Sequence, residues 1–185
     1  MDNNDDSVLA PPYGGAMVDL LVSRGEKDEM IDYANQLPSL QLSARSICDL
    51  ELLATGAFSP LDRFMGEDNY HSVMNHMRLD SGHIFPIPVT LPVEYGADIS
   101  IGKEITLRSE KNDLLAVMAV EEVYKWDRGE VSQKVFGTTD RPITEIQIDT
   151  FVCKELRTPI RILGVMTRNH LLGTLMMLRY QSVPL

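Results

Sequence analysis

The sequence predicts an α+β fold, with helices first and a mostly antiparallel, barrel-like sheet after them, and three observations carry that expectation. Up to about Met77 the apolar residues recur at helical spacing. From Ile84 onward they fall instead into short β-rich runs broken by prolines and turn residues. Helices and strands do not alternate, which argues against a parallel sheet assembled from βαβ units. The 185 residues suit one domain of ordinary size plus a tail and leave no room for two large domains.

Taken in order, residues 1–15 are acidic and then Pro/Gly-rich (Pro11, Pro12, Gly14, Gly15), a composition that cannot bury a core and reads as a flexible arm. Order is expected from about Met17. Ser23 and Glu26 have capping-box spacing, and Met30, Ile31, Ala34 and Leu37 share one helical face before Pro38 ends the run. A second helix starts at Ser43, buries Ile47, Leu50, Leu53 and Ala54, and stops at Gly56. The third runs from about Glu67 to Met77 with Tyr70, Val73, Met74 and Met77 inward, and Asp80-Ser81-Gly82 makes the turn after it. Pro86, Pro88 and Pro92 lack ladder donors, so Ile84 to Val93 can be only an edge or irregular strand. Ile99–Leu107 and Leu114–Tyr124 form a hairpin around Glu110-Lys111-Asn112-Asp113. Val135-Phe136 is expected as a further short strand, with a polar turn at Gly137 to Asp140. Ile160 to Leu185 is apolar but interrupted, a strand followed by a helix that packs on some partner surface or in an ordinary core. No internal repeat is visible.

Charge divides the chain. Of 17 basic and 27 acidic side chains, net −10, residues 1–150 hold 12 and 26 (net −14) and residues 151–185 hold 5 and 1 (net +4). The expected partition is an arm over 1–15, a domain over 16–148, and a basic, apolar tail over 149–185. An acidic body repels phosphate backbones, so no nucleic-acid partner is expected. No window approaches the roughly 20 apolar residues of a membrane span, and the acidic N-terminus lacks the positive charge of a secretory signal. The chain is read as cytoplasmic, with Cys48 and Cys153 as small hydrophobes.

Chemical motifs are sparse. Gly96 to Lys103 falls short of a phosphate loop, with five residues between its glycines and Glu104 where a hydroxyl should hold magnesium, and reads as a turn entering a strand at Ile105. The histidines, His71, His76, His83 and His170, have no ligand-set spacing, so no metal and no cofactor are assigned. Asp49 and Glu51, two apart on a helix, point to different faces and do not form a catalytic pair. No nucleophile motif is present.

One string is long and specific: Cys-Asp-Leu-Glu-Leu-Leu-Ala-Thr-Gly-Ala-Phe-Ser-Pro-Leu-Asp-Arg-Phe-Met, from Cys48 to Met65. With Pro11-Pro12-Tyr13-Gly14-Gly15 upstream and Phe85-Pro86-Ile87-Pro88-Val89-Thr90-Leu91, Glu121-Glu122-Val123-Tyr124 and Val135-Phe136-Gly137-Thr138-Thr139-Asp140 downstream, it resembles the N-terminal PUA-like domain of ATP sulfurylase (sulfate adenylyltransferase) over about residues 10–140. The resemblance implies helices followed by a PUA-like pseudo-barrel. It also implies a reaction, ATP plus sulfate giving adenylyl sulfate and pyrophosphate, which in this family is carried out by a separate catalytic domain.

That domain's opening is echoed only in pieces. Leu156-Arg157-Thr158-Pro159 and Val165-Met166-Thr167-Arg168-Asn169 resemble it, but Met166 replaces a glutamine, His170 a proline, and Leu172 and Leu175 two histidines. Thr167, Arg168 and Asn169 are the substrate-binding candidates left by this comparison. Arg63 joins them as a cation on a loop, while most of Cys48 to Met65 reads as packing. No catalytic residue is assigned. The expectation is a truncated or stand-alone module, inactive alone, that meets a catalytic-domain partner or self-associates through residues 151–185. The alternatives are an adenylyltransferase subunit completed by a partner chain and an RNA-binding PUA module.

Overall fold

A computed structural model describes residues 10–93, 99–125 and 127–139, and the backbone path of 161–162. The order of elements is α1 (Lys27–Ala34), β1 (Ser39–Gln41), α2 (Ala44–Ala54), α3 (Glu67–His76), β2 (Glu104–Arg108), β3 (Leu114–Ala119), α4 (Arg128–Val131), a π-helical turn (Ser132–Phe136) and β4 (Arg161–Ile162). The α+β class with helices leading is therefore present.

α2 forms as its sequence dictates. The Ser43 hydroxyl accepts from the Ser46 amide at 3.2 Å, and Leu50, Leu53 and Ala54 face the core. Just beyond its end Gly56 takes the left-handed conformation (φ +74°) that reverses the chain. In α1 the expected capping box is replaced by a turn. The Ser23 hydroxyl donates to the Glu26 carboxylate at 2.7 Å, and the helix starts only at Lys27 with no side-chain cap. α3 ends at His76 rather than Met77. Met77 itself is left-handed (φ 54°), which turns its side chain outward to 58% exposure instead of the buried place that helical spacing predicts.

The sheet runs in the order β1-β2-β3-β4. β2 and β3 are the expected hairpin, with Ile105 opposite Met118 and Leu107 opposite Ala116. Its turn is stitched by Ser109, whose hydroxyl accepts from the Lys111 and Asp113 amides. β4 adds on antiparallel at Ala116 and Val117. β1 is a strand that the sequence does not predict, and it pairs parallel to β2, so the sheet is mixed. Three residues beside Pro38 carry too little pattern to announce a strand, and the pairing is long-range.

Both faces of the hairpin are covered. Ile105, Leu107, Ala116 and Met118 join Leu50, Leu53, Phe64, Met65, Phe85 and Leu91 in the main core, while Val117 packs with Ala34, Met30 and Ile31 of α1 on the other face. Thr106 is buried on that second face and donates its hydroxyl to the Ala34 carbonyl at 2.6 Å. Tyr33 donates to the Glu104 carboxylate, and Arg108 reaches Asn35 at 2.8 Å, so α1 is tied to β2 along its length. Each fully buried Leu or Phe of this core contributes roughly 1.5–3 kcal/mol relative to exposure.

Two further expectations change. Ile84 to Val93 forms no strand; its prolines leave an irregular path with one isolated bridge, Arg78 to Ile84, while Phe85, Val89, Leu91 and Val93 still bury. Val135-Phe136 lies in the π-helical turn that continues α4. Burial decides its form: Val131, Val135 and Phe136 pack against Tyr70, Met74 and Tyr124, and that helical cluster outweighs the β preference of two residues.

Candidate functional site

The string that stands out in the sequence becomes a folded-back loop after α2. Ser59 is its pivot: the hydroxyl donates to the Gly56 carbonyl at 2.6 Å and accepts from the Val18 amide at 3.0 Å, joining the loop to the incoming chain. The Ser59–Pro60 peptide is cis. Pro60 supports Gly14, so closely that a Cβ at Gly14 would lie 2.6 Å from the proline Cβ. Beside it the Tyr13 hydroxyl accepts from the Ile84 amide at 2.6 Å and lies 3.2 Å from the Ile84 carbonyl, with its ring edge-on to His83. The Pro-Pro-Tyr-Gly-Gly segment is thus exposed but docked, and contacts with the body begin ahead of Met17.

Arg63 follows. Phe64 and Met65 on its C-terminal side are fully buried, the Met65 amide donates to the Val89 carbonyl at 2.9 Å, and the Tyr124 hydroxyl donates to the Met65 carbonyl at 3.3 Å. With the backbone so fixed, the guanidinium is presented at one place, with the side chain 29% exposed. It makes a two-pronged contact with Asp62, Nε at 2.6 Å and Nη2 at 2.9 Å, and Nη1 lies 3.8 Å from Glu121. The hydrogen bond to Asp62 raises the Arg63 pKa above its ordinary value, Glu121 adds to the rise, and burial opposes it. An anion approaching Arg63 competes with two carboxylates already in place. The next residue along, Glu122, accepts from the Glu67 amide at 3.2 Å and supplies the cap that Gly66 cannot give α3.

Of the substrate-binding candidates, Arg63 is placed by the structure, whereas Thr167, Arg168 and Asn169 lie outside the described residues. Asp62, Glu121, Glu122 and Tyr13 are not singled out by sequence reasoning. They lie inside the strings that carry the family resemblance, but the contacts of Glu122 and Tyr13 bridge 55 and 71 positions, which no local pattern encodes. Near the Gly96–Lys103 stretch, the Gly102 amide donates to the Val120 carbonyl at 2.7 Å and β2 begins at Glu104, one residue before the expected entry. His71 lies 3.9 Å from Glu67, and His83 Nδ1 lies 2.9 Å from the Ser81 hydroxyl. Among the described residues no three His, Cys, Asp or Glu side chains converge as a metal would require. No described helix is long and apolar enough to cross a membrane. Cys48 is half-buried on α2; burial first, then Glu51 and Asp49, raises its thiol pKa, which keeps it protonated and unreactive near neutrality.

The helical start, the small mixed sheet and the loop held by the buried Phe64-Met65 pair are the frame in which the family comparison falls. The PUA-like domain family matches residues 10–148, and the chain belongs to it. Within that class the similarity is to sulfate adenylyltransferases. The enzyme of Symbiobacterium thermophilum is 42% identical over 131 residues, 70% of this chain and 33% of its own length. Those of Chaetomium globosum and Eremothecium gossypii are 42% and 36% identical, matching 68% and 77% of this chain and 23% and 29% of their own lengths. Among solved structures, the hexameric APS kinase from Thiobacillus denitrificans superposes with a TM-score of 0.65 at 26% identity, over 89% of this chain and 29% of that one. The chain therefore spans a third or less of the length of these relatives.

Proposed function

We propose that this chain acts as the N-terminal PUA-like module of an ATP sulfurylase, the enzyme that joins sulfate to the α-phosphate of ATP and releases pyrophosphate, and that these 185 residues do not catalyse the reaction alone. The observation that carries the reading is one-sided coverage: 70% of this chain aligns with the Symbiobacterium thermophilum enzyme, yet it accounts for only 33% of that enzyme. The local electrostatics support it. Both reactants are anions, so catalysis needs cations or amides preorganised around the phosphorus, and Arg63 is already engaged by Asp62 and Glu121. The catalytic machinery then lies outside these 185 residues, which form the non-catalytic part of a cytoplasmic assembly.

Several finer features belong to the same proposal. The partition is an arm over 1–15, the PUA-like domain over 16–148 and a tail over 149–185, with the sheet closing as a pseudo-barrel. Residues 151–185 mediate self-association, and any substrate contact the chain makes falls to Thr167, Arg168, Asn169 or Arg63. The test is pyrophosphate release from ATP and sulfate by the purified full chain. No turnover above buffer is expected; sustained turnover refutes the reading.

A further inference from the structure

We propose that Ser81, paired with His83, is an activated nucleophile that takes an acyl group from small activated esters, an activity separate from the one proposed above. A reactive serine needs a base within hydrogen-bond reach and a third group that orients the base. The Ser81 hydroxyl lies 2.9 Å from His83 Nδ1. With the imidazole proton on Nε2, Nδ1 accepts from that hydroxyl. The imidazole is also held by a residue distant in sequence: Tyr13 meets it edge to face, with ring centroids 5.5 Å apart and planes at 79°. Tyr13 is itself fixed, because its hydroxyl accepts from the Ile84 amide at 2.6 Å, one residue beyond His83.

The turn that carries the pair is braced. The Leu79 amide donates to the His83 carbonyl at 2.9 Å, the Gly82 amide to the Leu79 carbonyl at 2.8 Å, and Arg78 Nη1 to the Gly82 carbonyl at 2.8 Å. The Asp80 amide donates to the Asn69 side chain on α3 at 2.9 Å, which ties the turn to the body. A base and nucleophile held together in this way need no further ordering before reaction. Among the described residues the amides of Ser81 and His83 donate to no other group, which leaves the turn two donors for the oxyanion formed at the attacked carbonyl. Ser81 is exposed and His83 half-buried. So open a site supplies little binding energy, and its substrates are esters whose leaving group departs easily. Ser81 Oγ bonds to the carbonyl carbon as its proton passes to His83 Nδ1; the ester C–O bond then breaks and the departing oxygen takes that proton. Water cleaves the acyl-serine by the same route in reverse, releasing the carboxylic acid and restoring the Ser81 hydroxyl.

The experiment treats the full chain with p-nitrophenyl acetate, quenches it in acid at early times, and locates the acetyl groups by peptide mass mapping. Ser39, exposed on β1, is the comparison serine in the same sample. Ser81 should be acetylated at least about tenfold faster than Ser39. His83→Gln, which keeps a hydrogen-bonding side chain but offers no base, should slow Ser81 at least about tenfold and leave Ser39 unchanged. Equal acetylation of Ser81 and Ser39 in the parent chain overturns the inference whatever the stability of the variant. An unchanged Ser81 rate in a His83→Gln chain that melts like the parent overturns it as well.

Discussion

Gly56→Ala is expected to destabilise the fold by about 3 kcal/mol, and the figure can be assembled from local geometry. A left-handed conformation costs a residue with a Cβ about 1–2 kcal/mol, and Gly56 has φ +74°. The added methyl would also lie 2.4 Å from the Val18 carbonyl oxygen and 2.6 Å from Met17 Cγ, inside any contact a real Cβ tolerates. Met17 can swing away. Val18 cannot do so freely, because its amide is bonded to Ser59, whose hydroxyl is bonded back to the Gly56 carbonyl. Relief of the overlap breaks at least one of these bonds, worth about 1–1.5 kcal/mol. Gly82→Ala isolates the conformational cost, since Gly82 has φ +85° and an added Cβ there would meet nothing within 4 Å. Urea unfolding of the full chain followed by circular dichroism, extrapolated linearly to water, measures both variants. Gly56→Ala should fall below Gly82→Ala by about 1–2 kcal/mol. Equal losses would refute the claim that arm and loop meet at this carbonyl.

Thr106→Val should cost about 1 kcal/mol in the same unfolding assay, because the Ala34 carbonyl loses the threonine and keeps only the Leu37 amide at 3.2 Å. Arg63→Ala should lose about 1 kcal/mol, discounted for partial exposure, and the deficit should shrink in 1 M salt (roughly 3 Å screening length) as the charges of Asp62 and Glu121 are screened. The raised Cys48 pKa has a definite sign: the neutral thiol is favoured by the fold, so its contribution is complete below the unfolded-state pKa and is lost as pH rises through the folded one. In a Cys153→Ser background, iodoacetamide should accordingly label native protein more slowly than urea-unfolded protein at the same mildly alkaline pH. Sedimentation should show the full chain self-associating and a chain ending after Ile162 monomeric; a monomeric full chain would contradict the proposed role of the tail.

What can be read in advance is what local chemistry controls. α2 is legible from Ser43 to Gly56 because a hydroxyl cap, a spaced apolar stripe and a left-handed glycine all act within a turn or two of one another. The β2–β3 hairpin is legible for the same reason, as Ser109 closes its own turn. The failures share an opposite cause. β1 exists because Arg108 and Thr106 offer its ends partners far along the chain, through the Leu42 amide to Arg108 and the Thr106 amide to Pro38. Val135-Phe136 is helical because Tyr70 and Tyr124 provide an apolar surface there. At the site the string around Arg63 is visible, but its charge environment is not, because Glu121 approaches from the far end of the hairpin.

The placement of β4 changes what can be asked of the tail. Charge composition puts a boundary near residue 150, and the PUA-like match stops at residue 148, yet Arg161 and Ile162 pair with Val117 and Ala116 at the outer edge of β3. Removal of everything after Asp140 would uncover that edge, and unpaired strand edges recruit other chains. Association of so short a chain would report on the sheet rather than on the tail. Ending the chain after Ile162 keeps the edge paired, so any change belongs to residues 163–185. That stretch holds Arg168 and Arg179 and no acidic residue. Attraction of two positive charges to an acidic body fades with salt, whereas burial of the segment's leucines and methionines does not. The salt dependence of self-association in the full chain therefore separates charge from apolar packing as the force that acts.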